Sequence, residues 1–309
     1  MAQVNYSSTS SGENDATLAD LTCLRKFSDG KISKELTCLL ALNIAFCVTA
    51  IFGNSLILLA LHKETSLHAP SKLLLRTLAT TDLCVGLFVH PLSAATWISE
   101  LQKDFEVCRY TSIARFLASY ILCSVSLLTT TAISVDRLLA LSLRLRYRQI
   151  VTLNRAYMVV TIFWVFSIVG TVVSFLKGAL SIVSNIIISV CLLTSFSSYL
   201  KIFFALRFNK TEVNKTRRSE RVPLNIVLYR KTVYGALLVQ LSLVVCYLPY
   251  GIAQVVFTAE KDLTSFTVLV WGLTGTLVYF NSSLNPILYC WKIREVKQAV
   301  KETVRRICT

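Results

Sequence analysis

Almost uncharged apolar stretches recur seven times along the chain, separated by short polar segments. They cover 39–61, 77–99, 116–135, 156–176, 178–200, 232–258 and 263–291. About 30 Å of hydrocarbon needs roughly 20 residues of α-helix, and every stretch meets that length. All are continuous and far longer than the roughly ten alternating residues of a barrel strand. The pattern predicts an all-α fold, a bundle of seven transmembrane helices over residues 36–291. Residues 1–35 read as a polar tail rich in Ser, Thr, Asp and Asn. That tail holds no apolar core of a cleaved signal peptide, so the first span is expected to be its own uncleaved signal. After the last span, Ile293, Val296, Val300, Val304 and Ile307 recur at helical spacing among basic residues. This predicts a short amphipathic eighth helix over 292–309, lying in the membrane interface.

Composition agrees with the pattern. Of 309 residues, 54% are hydrophobic and 16% charged, with mean hydropathy +0.60. A soluble domain carries about 25% charged residues, so the chain cannot coat a water-facing surface. Cytosolic enzymes, disordered proteins and secreted disulfide scaffolds are excluded on this ground. The net charge of +15 divides by loop. The segments 62–76, 137–155, 201–231 and 292–309 hold 23 of the 32 Lys and Arg, and the opposite side holds 9. The positive-inside rule places the first set in the cytoplasm and the N-terminus outside. The basic excess is therefore topology rather than a nucleic-acid footprint, and no nucleic-acid partner is expected. The sequon at Asn5 falls on the outer tail and is a candidate glycan site.

The spans carry few polar residues, and these are the candidates for chemistry. Asp82 is the one acid within hydrocarbon; a carboxylate there needs polar partners or a cation and is a functional candidate by default. Asp136-Arg137 stands where the third span meets the cytoplasm. Pro249 and Pro286 each remove a backbone hydrogen bond and permit a kink. In order along the chain stand Gly53-Asn54-Ser55, Leu78 to Leu83 around Asp82, Asp136-Arg137-Leu138, Trp164, Cys246-Tyr247-Leu248-Pro249-Tyr250 and Asn285-Pro286-Ile287-Leu288-Tyr289. Taken together, one set per span, these resemble the rhodopsin-like G protein-coupled receptors over about residues 36–306.

The resemblance implies roles. Asn54, Ser126, Asn281, Ser282 and Asn285 would surround Asp82 and hold Na⁺ as an allosteric ion; a protonated, hydrogen-bonded Asp82 is the alternative. Arg137 would unpair from Asp136 on activation and meet Tyr199 and Tyr289 at a heterotrimeric G protein. Tyr247 stands where the family has Trp, and Leu138 where it has Tyr. The inner end of the sixth span, Leu228-Tyr229-Arg230-Lys231, has no acid to tether Arg137, which predicts a loosely held inactive state and raised basal signalling. Cys308 is a candidate palmitoylation site on the eighth helix, or an unmodified thiol. Membrane lipids are expected partners of the basic inner loop and that helix.

The ligand is read mostly from departures. The seventh span lacks Lys, so a retinal Schiff base is excluded. Ser119 stands where amine receptors have Asp. The loop between the fourth and fifth spans is nearly absent, Cys191 replaces the fifth span's usual Pro, and Ser112 stands at the usual bridging Cys, with Cys108 four residues earlier. In these respects the chain resembles the melanocortin receptors and, in part, the cannabinoid, lysophospholipid and adenosine receptors. Cys23 and Cys108 form either a bridge or two free thiols outside the cell. Arg115 lies 22 residues before Arg137, about 33 Å along a helix, hence at the outer boundary. It either grips an acidic headgroup, as the lysophospholipid resemblance implies, or snorkels to water. Ser119, Tyr120, Gln254, Trp271 and Tyr279 are further pocket candidates. No His- or Cys-rich spacing suggests zinc.

These readings converge on a plasma-membrane receptor, not an enzyme. It would bind an extracellular small molecule, lipid or short peptide and activate a heterotrimeric G protein by outward movement of the inner end of the sixth span. A non-signalling decoy receptor is the alternative, given Leu138 and Tyr247. A transporter fits less well, since no internal repeat or paired mid-membrane charge is visible.

Overall fold

The computed structural model describes residues 23, 33–63, 67–143, 146–176, 180–215, 238, 241–256, 265–292, 297, 298, 300, 301 and 305. The candidate sites at Asn5 and Cys308, and the segment 228–231, lie outside the described residues. Where a segment apolar on all sides crosses lipid, only its own i→i−4 ladder can satisfy its backbone, so it must be helical. The first span is Ser33–Lys63. The second comprises Ala69–Cys84, a π-helical turn Val85–Val89 and His90–Gln102. The third is Phe105–Leu143, the fourth Leu153–Leu176 and the fifth Leu180–Lys215. The described part of the sixth is Leu241–Val256, and the seventh is Ser265–Lys292 with Pro286 inside it. A single-turn helix, Tyr147–Ile150, links the third and fourth. Five of these helices are long and apolar enough to cross a membrane by themselves. Among the described residues there is no strand, and the bundle is all-α.

The third span is the hub. It packs on the second, fourth and fifth, while the first packs on the second and seventh. At 39 residues it far exceeds its 20-residue apolar stretch, because polar turns at both ends continue the helix beyond the hydrocarbon. The fourth span turns Phe166, Val169 and Val172 outward and Ala156 with a Ser and Thr stripe, Ser167, Thr171 and Ser174, inward. That inversion is expected where lipid is the outer solvent. Hydroxyls within the spans return to their own helix: Thr96, Thr130, Thr131 and Ser198 each donate to the carbonyl four residues back.

Two close approaches set the frame around the polar centre. A Cβ on Gly53 would lie 2.9 Å from Pro286 Cγ, so the first and seventh spans meet where a side chain would not fit. A Cβ on Gly86 would lie 2.9 Å from Ile51 Cγ1, at the π-turn of the second span. The turn between the second and third spans is short. Lys103 takes the left-handed conformation at φ 59°, and Asp104 accepts the Val107 N–H at the start of the third span. Cys23 and Cys108 are joined in a disulfide with Cα atoms 6.2 Å apart. The Ser112 hydroxyl, one turn further in, lies 3.7 Å from the Cys23 sulfur. The bridge thus fastens the N-terminal tail to the outer end of the hub. Val300, on the stripe read as the eighth helix, packs beside Ile57, Leu61 and Leu74 at the inner end of the bundle.

A candidate ligand pocket above two carboxylate centres

A pocket opens in the outer half between the third, fifth, sixth and seventh spans. Ser119, Tyr120, Cys123, Ser184, Tyr247 and Tyr279 are among its walls, and none of its lining residues is charged. Its inner core is apolar: Leu127, Ile188, Leu243 and Val278 pack around Tyr247. Phe116 stacks on Trp271 at 5.2 Å between ring centres, and both pack beside Tyr120 and Tyr250. Ser119 donates to the Phe116 carbonyl.

Arg115 is directed inward. Its guanidinium carbon lies 4.6 Å from the centre of the Phe116 ring. Arg115 and Ser119 lie near the Tyr279 phenol. Among the described residues the buried Nε of Arg115 has no hydrogen-bond partner. This side chain is half-buried, with its guanidinium over an aromatic ring.

Gln254 is fully engaged. Its carbonyl accepts from Ser184 at 2.8 Å. Its amide N–H groups donate to the phenols of Tyr120 at 2.7 Å and Tyr250 at 3.2 Å. Beyond Tyr279, buried His90 meets that ring edge-on. His90 Nδ1 lies 2.6 Å from Asn43 Oδ1, and Asn43 Nδ2 donates to the His90 carbonyl.

One layer inward, Asp82 is fully buried. Its Oδ1 accepts from Ser126 at 3.0 Å and Ser282 at 2.8 Å, and its Oδ2 accepts from Asn285 Nδ2 at 2.7 Å. Asn54 stands one bond away, donating to the Ser282 carbonyl at 3.0 Å and to Ala50. Asn281 is buried, and among the described residues both its amide atoms and Asn285 Oδ1 are without a partner. Of the five residues expected around Asp82, three bond to it directly. Asn54 reaches the cluster through the Ser282 carbonyl, and Asn281 makes no hydrogen bond to Asp82 among the described residues.

At the inner face, Asp136 is buried and Arg137 lies 3.7 Å from its carboxylate. Two stronger partners hold Asp136: the Tyr147 phenol donates to Oδ1 at 2.6 Å and Ser71 donates to Oδ2 at 2.8 Å. Burial, with the donated bond to Asp136 next, pushes the Tyr147 phenol up to about 12. Tyr199 is buried, meets Ser134 at 3.1 Å and packs with Leu138. Pro249 lies within the sixth span, between pocket residues Tyr247 and Tyr250. The backbone of Tyr289 is helical; its side chain lies outside the described residues.

Sequence reasoning missed Ser71, Tyr147, Ser184, Tyr250, His90 and Asn43. Tyr147 and Ser71 sit in or beside loops without periodicity, and nothing local marks them as partners of Asp136. For Asn43 and His90 a signal existed: both are polar side chains within apolar spans, and such groups find one another.

Seven helices around a polar centre, with an outer pocket and an inner Asp-Arg pair, define a multi-pass membrane protein of the seven-span receptor class. The family model described as "7 transmembrane receptor (rhodopsin family)" matches residues 53–195, a little under half of the chain. It is 35% identical over 127 residues to the adenosine receptor A2b of Rattus norvegicus, covering 40% of this chain and 36% of that receptor. It is 24% identical over 295 residues to the trace amine-associated receptor 9 of Mus musculus, covering 82% of this chain and 80% of that receptor. With the adenosine receptor A3 of Ovis aries it shares 24% over 285 residues, 84% and 87% of the respective lengths. The A2b match thus spans little over a third of that relative.

Proposed function

We propose that the chain is a plasma-membrane receptor, with its N-terminus outside, that binds a small extracellular ligand and activates a heterotrimeric G protein. The observation that carries this reading is the shared use of the same helices. The third, fifth and seventh spans wall the pocket, and they also carry Arg137, Tyr199 and the Asn285-Pro286 turn. A ligand that prefers one packing of these helices shifts the population of their inner ends. Pro249 removes a backbone hydrogen bond, which lets the inner part of the sixth span swing while its outer part stays at the ligand.

The pocket also favours a class of ligand. Its lining lacks a carboxylate to hold an ammonium, while Arg115 offers a cation beside Tyr279 and Ser119. A ligand with an acidic group on an apolar or aromatic body satisfies that arrangement. Amines, the ligands that the trace amine relatives' names denote, do not.

Na⁺ fits the centre around Asp82. The donors are hard oxygens, and the unpartnered Asn281 and Asn285 oxygens would complete the set. Such an ion would tie the third and seventh spans to the second and oppose their rearrangement.

The test is a cell-based G protein activation panel, run without ligand and then with lipid acids, nucleosides, amines and short peptides. Wild type is compared with Arg137→Ala, Asp82→Asn and Arg115→Gln, each quantified at the surface. The expected result is basal signal in the wild type, abolished by Arg137→Ala. The response to acidic ligands should fall at least about tenfold in Arg115→Gln, as for loss of a charge-assisted bond. Silence from wild type at the cell surface across all G proteins would instead favour a non-signalling receptor.

A further inference from the structure

We propose that Ser184, Gln254, Tyr120 and Tyr250 form a latch that holds the outer part of the sixth span, and that pocket occupancy acts on the protein by opening it. The inference rests on the receptor reading above and adds the element through which ligand reaches the sixth span.

The hydrogen bonds close on themselves. Ser184 on the fifth span donates to the Gln254 carbonyl; Gln254 on the sixth donates to Tyr120 on the third and to Tyr250. Tyr250 in turn donates to Tyr120 at 3.3 Å. Gln254 is 3% exposed and Ser184 7%, so the ring forms where water does not compete and an opened bond leaves a polar group unpaired. Both N–H groups of the Gln254 amide are spent, so Gln254 is a positioning residue acting through the two phenols rather than a free ligand contact.

Its place in the helix makes it a latch. Tyr250 and Gln254 are one and five residues beyond Pro249. They fix the segment outside the kink to the third and fifth spans. Tyr120, Ser184 and Tyr250 line the pocket, so a ligand seated there touches three of the four members. Tyr247, on the other side of Pro249, is buried in the apolar core and stands outside the ring. The hydrogen-bonded control of the sixth span is thus placed on the outer side of the kink.

Gln254→Met keeps the length of the side chain and removes all its hydrogen bonds. Tyr250→Phe removes one donor, and Ser184→Ala one more. Basal G protein turnover in cells is read per surface receptor. Hydrogen exchange of residues 241–248 is read on purified protein in lipid nanodiscs. The latch predicts that Gln254→Met raises both, by about twentyfold from the loss of three intramembrane bonds. Tyr250→Phe should give a smaller rise, and Ser184→Ala added to Gln254→Met no further change. A merely structural role lowers surface abundance and signal together and does not raise turnover. Unchanged or reduced turnover in Gln254→Met and Tyr250→Phe, with wild type signalling, overturns the latch. Faster exchange with no G protein turnover from any form, wild type included, keeps the latch and removes the receptor reading. If Gln254→Met fails to reach the surface, Tyr250→Phe decides alone by the same criteria.

Discussion

Around Asp82 the polar groups converge on a charge; around Gln254 they close on one another. The inner centre is a carboxylate with three direct donors and neighbouring amide atoms left unpartnered. The outer centre is neutral and self-satisfied, and the cation beside it, Arg115, retains an unpaired Nε. In a low dielectric, a charge recruits ligands and a neutral ring does not. The inner centre is therefore suited to an ion that holds helices together, and the outer to a switch that a ligand disturbs.

The largest stability effect should come at the outer end. Cys23→Ser removes a bridge closing an 85-residue separation and should cost about 2–4 kcal/mol, seen as a lower Tm of the purified protein. Cys108→Ser should match it, and the double variant should cost no more than either. Full additivity would mean that the bridge does not form.

The inner centre is tested by sodium. Replacing K⁺ by Na⁺ at constant ionic strength should raise the Tm of wild type, reaching about 2.7 kcal/mol of stabilisation at a hundredfold excess over Kd. Asp82→Asn should abolish that increment, and Gln254→Met should keep it. A Na⁺ response surviving in Asp82→Asn would erase the distinction between the two centres.

Gly53→Leu drives a side chain into Pro286, with Cβ itself 2.9 Å from Cγ. The expected cost is about 1–3 kcal/mol of overpacking, read as Tm, with a weakened Na⁺ increment as the seventh span shifts.

The smallest effect is at Tyr147. Tyr147→Phe should cost about 1 kcal/mol, since the lost bond to Asp136 is partly exposed to solvent. Burial and the bond to Asp136 raise the phenol's folded pKa above its ordinary value of 10.0, to about 12. The neutral form is thus favoured by folding. Its contribution is complete below pH 10 and is lost as pH rises toward 12. A difference titration at 295 nm between wild type and Tyr147→Phe should show one phenol ionising late. Ordinary ionisation would show that the clasp on Asp136 is open in solution.

The sequence made the bundle legible because lipid leaves a helix no alternative: an apolar run of 20 residues must satisfy its own backbone. Asp82 and Arg137 were legible for the same reason, as charges too costly to stand in or beside hydrocarbon without use. Ser126, Ser282 and Asn285 followed only from the family resemblance. The π-turn at Val85–Val89 left no trace in the apolar pattern, since one residue added to a turn does not change its hydropathy. Tyr147 escaped notice because a loop residue carries no periodicity that names its partner across 11 residues. The lack of an acid near Lys231 suggested a loosely held Arg137. The structure adds that Asp136 itself is held by Tyr147 and Ser71, which compete with Arg137 for the same carboxylate.

By itself, then, the sequence determined the spans, the expected orientation and the residues too polar for their surroundings, since each is a transfer free energy that local composition sets. Only the tertiary structure decided which polar groups meet. It turned Arg115 inward onto Phe116, saturated Gln254 and left Asn281 unpartnered. Those outcomes depend on the relative rotation of helices far apart in the chain, which packing fixes and no local pattern encodes.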